Sequence, residues 1–300
     1  MRAASVLVLA IVPHPALAQD MPTFSTSVEV VYVDVFVTHD GQPVPGLKAA
    51  DFDVRDNGVR QAVTLASLEQ VPLVAIMVFD ASGSVSGAKL EHLRAAGRAF
   101  LSTLREQDEA ALLAFSHELR VVVPQGGGRA AVRRAIDGLQ TAGLTSLWDA
   151  LYAGIKLPVS RGRPMVVLFT DGRDNLSWLT ASQVGKVAQE SEAMVHVVAI
   201  VPPRDSFGPR FAASNSVEAP YIRELREVAE VTGGRLWEAG SSAQLERTFL
   251  RILAAMQARY LLSYTPAGVA HQGWHRLAVK VRNHKGAVRS RVGYMIPRTE

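Results

Sequence analysis

Cysteine is absent from this 300-residue chain. Its absence excludes disulfide staples, thiolate metal sites, a cysteine nucleophile and a lipoprotein-type anchor, but not export. Long apolar runs are also missing. Beyond the first residues no stretch reaches the roughly 18 uninterrupted apolar residues of a membrane span. Charge of one sign is not concentrated either: the net charge is only +4 and the Lys and Arg residues are scattered, so there is no nucleic-acid footprint. No HExxH, GxxxxGK[ST] or GxSxG pattern occurs. The histidines therefore read as surface or satisfied core residues. A hydrophobic share of 48% and a charged share of 20% describe an ordinary globular protein, long enough for one large domain or two smaller ones.

What is present begins with Met1-Arg2, an apolar run from Ala3 to Val12, and Ala16-Leu17-Ala18 before Gln19. A short basic start, a short apolar core and a small-x-small end read as a cleaved signal peptide over residues 1–18. An uncleaved anchor or a buried first strand is the alternative. With cleavage, the mature protein is exported to the periplasm or the medium and has no predicted membrane span.

The chain is organised around Leu73-Val-Ala-Ile-Met-Val-Phe-Asp80-Ala-Ser82-Gly-Ser84. Seven apolar residues in succession suit a strand buried on both faces, as in a parallel sheet. Ligands of such sheets bind beyond the carboxyl ends of the strands. Asp80, Ser82 and Ser84 offer a carboxylate and two hydroxyls there, the oxygen donors that Mg²⁺ prefers. The following helix points its positive end at the same place, so Asp80 needs a second acid. Met165 to Thr170 is another apolar strand, and it ends in Asp171. Between the two strands, the loop from Ala142 carries Thr145 to the start of a helix. Capping of the next helix by Asp80 and the serines is the plain alternative.

Asp80-x-Ser82-x-Ser84, then Thr145, then Asp171 in Thr-Asp-Gly resembles the metal-ion-dependent adhesion site of von Willebrand factor type A (VWFA) domains. The resemblance covers roughly residues 71–258. It implies a Rossmann-like domain and direct contact of Ser82 and Ser84 with Mg²⁺, or with Mn²⁺ or Ca²⁺. It implies that Asp80 and Asp171 act through water, and that Thr145 changes its coordination with ligand state. A Glu or Asp carboxylate of a protein partner would complete the shell. The last helix, 242–257, would shift along the domain. Asp149, one turn after Thr145, is either a hydrogen-bond partner that orients the threonine or an acid offsetting the helix dipole. Asp174 and Asn175 either join the rim or build a turn. Arg173 either clamps an acidic partner or is a solvated surface charge.

Taken in order, residues 19–69 are β-rich, with Ser27 to Thr38 as a strand and turns at His39-Asp40-Gly41 and Asp56-Asn57-Gly58. Residues 70–258 alternate strand and helix, as a doubly wound, mostly parallel α/β sheet requires. Ser241 and Gln244 read as a capping box for the last helix. Pro202 to Pro220 is a long Pro/Gly-containing loop and a candidate specificity element. Residues 259–300 are β-rich again: Arg259 to Tyr264, Trp274 to Arg282, and Val288 to Met295 as one returning strand. Neither terminal segment looks complete, so the two are expected to form one small β-sandwich-like domain with the VWFA domain inserted between them. The layout also resembles a bacterial group of exported proteins with VWFA-related domains. The leading expectation is an exported, metal-dependent protein-binding or adhesion module and not an enzyme. A metal-assisted hydrolase and a structural envelope-assembly module are the alternatives.

Overall fold

The structure is a computed structural model that describes residues 30–40, 42–66, 71–172, 174–200, 219–282 and 286–296. The signal-peptide reading, the first residues of the strand expected from Ser27, Arg173 and nearly all of the 202–220 loop lie outside the described residues.

Six strands form the central sheet: β6 (Leu73–Asp80), β7 (Glu109–Phe115), β8 (Leu119–Val123), β9 (Arg163–Thr170), β10 (Met194–Ile200) and β11 (Arg235–Ala239). Their order is β11-β10-β9-β6-β7-β8, and only the β7–β8 pair is antiparallel. Among the described residues, five flanking helices follow in chain order: α1 (Ala88–Thr103), α2 (Arg129–Asp137), α3 (Leu147–Lys156), α4 (Ala181–Glu190) and α5 (Pro220–Val231). A sixth, α6 (Leu245–Gln257), ends the domain. Helices cover both faces, and β6 shows why its apolar run is continuous. Ala75, Met77 and Phe79 pack on one side with residues of α1, α2 and α6, while Val74, Ile76 and Val78 pack on the other with α3, α4 and α5. Phe249 of α6 sits edge-on to both Phe79 and Phe100, with ring centroids 6.0 and 5.9 Å away. Such pairs contribute about 0.5–1.5 kcal/mol each beyond their burial.

Two antiparallel sheets are built from the ends of the chain. One has the order β14-β1-β12-β5, with β2 paired to β1; the other has the order β15-β13-β3-β4. From the N-terminal side come β1 (Val31–His39), β2 (Gln42–Pro43), β3 (Phe52–Asp56), β4 (Val59–Gln61) and β5 (Thr64–Leu65). From the C-terminal side come β12 (Tyr260–Tyr264), β13 (Gly273–Val281), β14 (Ala287–Arg289) and β15 (Gly293–Ile296). Val33, Val35, Phe52 and Val54 share one apolar cluster with Leu262, Tyr264, Leu277 and Ile296. Its centre is polar. Buried Asp56 accepts hydrogen bonds from the hydroxyls of Tyr264 and Tyr294 at 3.0 and 2.6 Å, and His275 Nδ1 lies 2.8 Å from its other oxygen.

Two local expectations change. The single strand expected from Val288 to Met295 is divided, because Arg291 donates to the Ser191 carbonyl and the Val292 amide to the Val231 carbonyl. That detour carries the chain from one antiparallel sheet to the other. The Ser241–Gln244 capping box does not form: Ser241 makes no side-chain cap, and Gln244 instead accepts from the Gly240 amide at 3.2 Å. A 3₁₀ turn, Ser242–Gln244, therefore precedes α6.

Candidate functional site

β6 ends at the middle of the sheet, between β7 and β9, so Asp80 is completely buried at the carboxyl rim. Its two oxygens are held by neutral donors only. The Ser82 amide donates to Oδ1 at 2.9 Å, closing an Asx-type turn, and the Thr170 hydroxyl donates to Oδ2 at 2.9 Å. No described Lys, Arg or His forms an ion pair with Asp80. Burial raises its carboxyl above the usual range. Hydrogen bonds from Ser82 and Thr170 oppose that rise, and the Asp171 charge adds to it. A buried carboxylate without a counter-charge costs several kcal/mol, which is a reason to look for a cation.

The remaining donors run on from there. The Ser82 and Ser84 hydroxyls are 3.0 Å apart, and the Ser84 hydroxyl donates to Asp171 Oδ1 at 2.7 Å. The loop reaches this shape through a 3₁₀ turn, Gly83–Val85, and Gly87 at φ +66°, which lets α1 begin immediately afterwards. The loop bearing Thr145 is bound to it by backbone bonds: Gly83 donates to Gly143 and Ala142 to Ala81. Gly143 sits at φ +74°, a conformation that favours glycine, and a Cβ there would also press on the His117 ring. Thr145 itself is buried. Its amide donates to the Asn175 side chain at 2.8 Å, and its carbonyl accepts from the Asn175 amide at 3.1 Å. The structure thus brings the β6, β9 and Thr145 loops to one rim. Side-chain hydrogen bonds link Thr170 to Asp80, Ser82 to Ser84, and Ser84 to Asp171.

Asp149 and Asp174 act elsewhere in the same loops. The Asp149 carboxylate accepts from the Trp178 and Leu179 amides at 3.0 and 2.9 Å, so it is engaged with the 177–179 turn and not with Thr145. Asp174 accepts from the Leu147 amide at 2.8 Å and from the Ser177 hydroxyl, which places it at the start of α3. Both acids and Asn175 hold the loop after Asp171 against the loop after Gly143.

Two contributors were not singled out from the sequence. Thr170, next to Asp171, holds the Asp80 carboxylate. Lys89 is the more informative omission. Its ammonium lies 2.5 Å from Asp171 Oδ2 and 3.0 Å from the Ser84 carbonyl. A lysine in the first turn of a helix works against the helix dipole, and that local conflict was its only signal. Around the rim, Trp178 is 92% exposed and Leu144 is 52% exposed.

Residues 75–173 match the family of von Willebrand factor type A domains. An uncharacterised protein of Synechocystis sp. is 30% identical over 139 residues, covering 43% of this chain and 32% of that protein. A UPF0353 protein of Mycobacterium leprae is 25% identical over 229 residues, covering 69% of this chain and 66% of that one. The chain therefore spans about a third of the first relative's length and just under two thirds of the second's. Among solved structures, a von Willebrand factor type A protein from Catenulispora acidiphila superposes with a TM-score of 0.51 at 16% identity, covering 82% of this chain and 74% of that one. That likeness is one of fold.

Proposed function

Because the centre of this chain is a von Willebrand factor type A domain, we propose that it is a divalent-metal-dependent protein-binding module whose ion is held by Asp80, Ser82, Ser84, Thr145 and Asp171. The single observation that carries this reading is the buried Asp80 carboxylate, which has no cationic partner among the described residues and lies at the head of a cluster of hard oxygen donors. Two carboxylates and three hydroxyls suit Mg²⁺, and Mn²⁺ or Ca²⁺ by the same oxygen chemistry. Bound there, the ion supplies a Lewis-acidic position for a Glu or Asp carboxylate of the partner. The chain's own residues do the rest. Asp80 and Asp171 neutralise the ion, Thr170 and the Ser82 amide fix Asp80, and the Asp149, Asp174 and Asn175 contacts hold the loops that carry Thr145.

Exposed Leu144 and Trp178 border the same loops and give the partner an apolar contact around the polar centre. Large aromatic side chains of this kind dominate binding energy at interfaces. No described histidine bonds to Ser82 or Ser84, and the carboxylate that Ser84 meets, Asp171, is the one assigned to the ion; this supports binding over hydrolysis. The apolar cluster shared by the two antiparallel sheets supports reading 19–69 and 259–300 as one β-sandwich-like unit with 70–258 inserted between them. Residues 1–18 act as a signal for export, and mass spectrometry of the secreted protein should place its first residue at Gln19.

The decisive test is calorimetric titration with Mg²⁺ of the wild type and of Asp80→Asn, which preserves the side chain's shape. Loss of about 3 kcal/mol, roughly two orders of magnitude in affinity, is expected from removing one charged ligand. Equal affinities in the two proteins would refute the site. The partner should be captured from envelope extract with Mg²⁺ and released by EDTA.

A further inference from the structure

A cavity of about 400 Å³ lies where the edge of the parallel sheet faces the edge of an antiparallel one. Arg235 and Trp237 reach it from β11, Arg251 from α6, and Arg289 with Val288 from β14, while Phe36 of β1 closes one side. Arg235 and Arg251 both lie over the Trp237 indole, with guanidinium carbons 4.7 and 5.5 Å from its ring centre. The indole is itself held in place by donating to His196 Nδ1 at 3.3 Å.

None of the three guanidiniums forms an ion pair with a described carboxylate. The neighbouring acid, Glu238, is already paired with Arg226 at 2.7 Å. Burial, followed by the charges of Arg289, Arg251 and Arg226, lowers the Arg235 pKa from its ordinary value, and only Glu230 opposes them. A fourth cation stands behind the wall. Arg259 is buried, its guanidinium carbon 5.9 Å from the Phe36 ring; it donates once, to the Gly233 carbonyl, and its Nε and Nη1 have no partner among the described residues. The acid whose charge favours it, Asp34, is held by Arg163 at 2.5 Å.

Like charges gathered without acids repel one another and oppose folding, so an anion in this cavity would relieve them. Guanidinium forks match tetrahedral oxyanions and grip them in pairs of hydrogen bonds. A phosphomonoester carries about −1.5 to −2 at neutral pH, and a cavity of this size holds a small molecule. We propose that this cavity binds a small soluble phosphomonoester, with Arg235, Arg251 and Arg289 on the phosphoryl oxygens and Phe36 and Val288 against its organic part.

The probe is phenyl phosphate, titrated calorimetrically into the full chain in EDTA so that no metal at the β6 rim recruits it. Saturable binding is expected. It should weaken about tenfold in Arg251→Gln and again in Arg289→Gln, the least expected for one lost charge-assisted contact. Arg247→Gln, an exposed change on the same helix, should stay within about twofold. Phenol, which lacks the phosphoryl group, should not bind. The ligand should raise the melting temperature of the wild type and leave that of the double variant unmoved. Without ligand, the double variant should melt no lower than the wild type, because its arginines repel and do not brace. Absence of saturable binding, an equal loss in Arg247→Gln, or a fall in the unliganded melting temperature of the double variant would each overturn the proposal. Pelleting with phosphatidic acid vesicles in preference to the soluble ester would move the site to a membrane surface and overturn it too.

Discussion

Replacing Lys89 by Met should tighten Mg²⁺ binding. In the structure the Lys89 ammonium already neutralises Asp171, one of the two acids assigned to the ion, and it also donates to the Ser84 carbonyl. A divalent ion at this rim has to displace that ammonium or tolerate it nearby. The magnitude lies between two limits. Exposed ion pairs contribute about 0–1 kcal/mol, and breaking a buried pair costs about 3–5. Here the acid is 1% exposed and the base 41% exposed, so the pair lies nearer the lower limit after solvent screening. About 1.4 kcal/mol corresponds to tenfold tighter Mg²⁺ binding in Lys89→Met. The apo variant should be destabilised by about 1 kcal/mol, and the gap should close as Mg²⁺ is added, because ligand binding stabilises by mass action. The assay pairs Mg²⁺ calorimetry with thermal denaturation at low and at ~0.15 M salt, where the difference should shrink. Equal or weaker Mg²⁺ binding by Lys89→Met would show that the lysine supports Asp171 and does not compete for it, and the electrostatic account of the rim would fail.

Trp178→Ala should leave stability within about 0.5 kcal/mol, since the side chain is 92% exposed, yet weaken partner capture by about 2 kcal/mol or more; unchanged capture would remove Trp178 from the interface. Asp56→Ala should cost about 3–5 kcal/mol in chemical denaturation, because it strands Tyr264, Tyr294 and His275 in the core; a cost below about 1 kcal/mol would mean that the network is not what joins the terminal segments. Asp108 links pH to stability. Burial raises its carboxyl, but hydrogen bonds from Arg105 and the Leu73 amide outweigh burial and hold it below the usual range. A carboxyl lowered on folding contributes stability that is present above its unfolded value, about 3.9, and is lost as pH falls through the lower folded value. Asp108→Asn should therefore flatten the acid limb of the stability curve below about pH 4 and leave its shape near pH 7 unchanged; an unaltered acid limb would contradict the assignment.

The central alternation of strand and helix was legible along the chain, and so were the two acids that end buried strands. Those features are local. Seven apolar residues from Leu73 to Phe79 report burial on both faces, and a polar residue ending such a run reports the sheet's rim. Periodicity cannot say which distant groups share a site. Lys89 meets Asp171 82 residues away in sequence, and Asp56 meets His275 219 residues away. The same holds for Val288 to Met295, which alternates like one strand but divides because Arg291 and Val292 bond to the central domain. The convergence of Arg235, Arg251 and Arg289 was also invisible, since each alone is an ordinary surface cation. The sequence by itself determined which segments are strands and helices and where oxygen donors leave the sheet. Only the packed structure decided which charges are paired and which are left facing one another, because Coulomb energy depends on separation through space and burial, and neither is written in the order of residues.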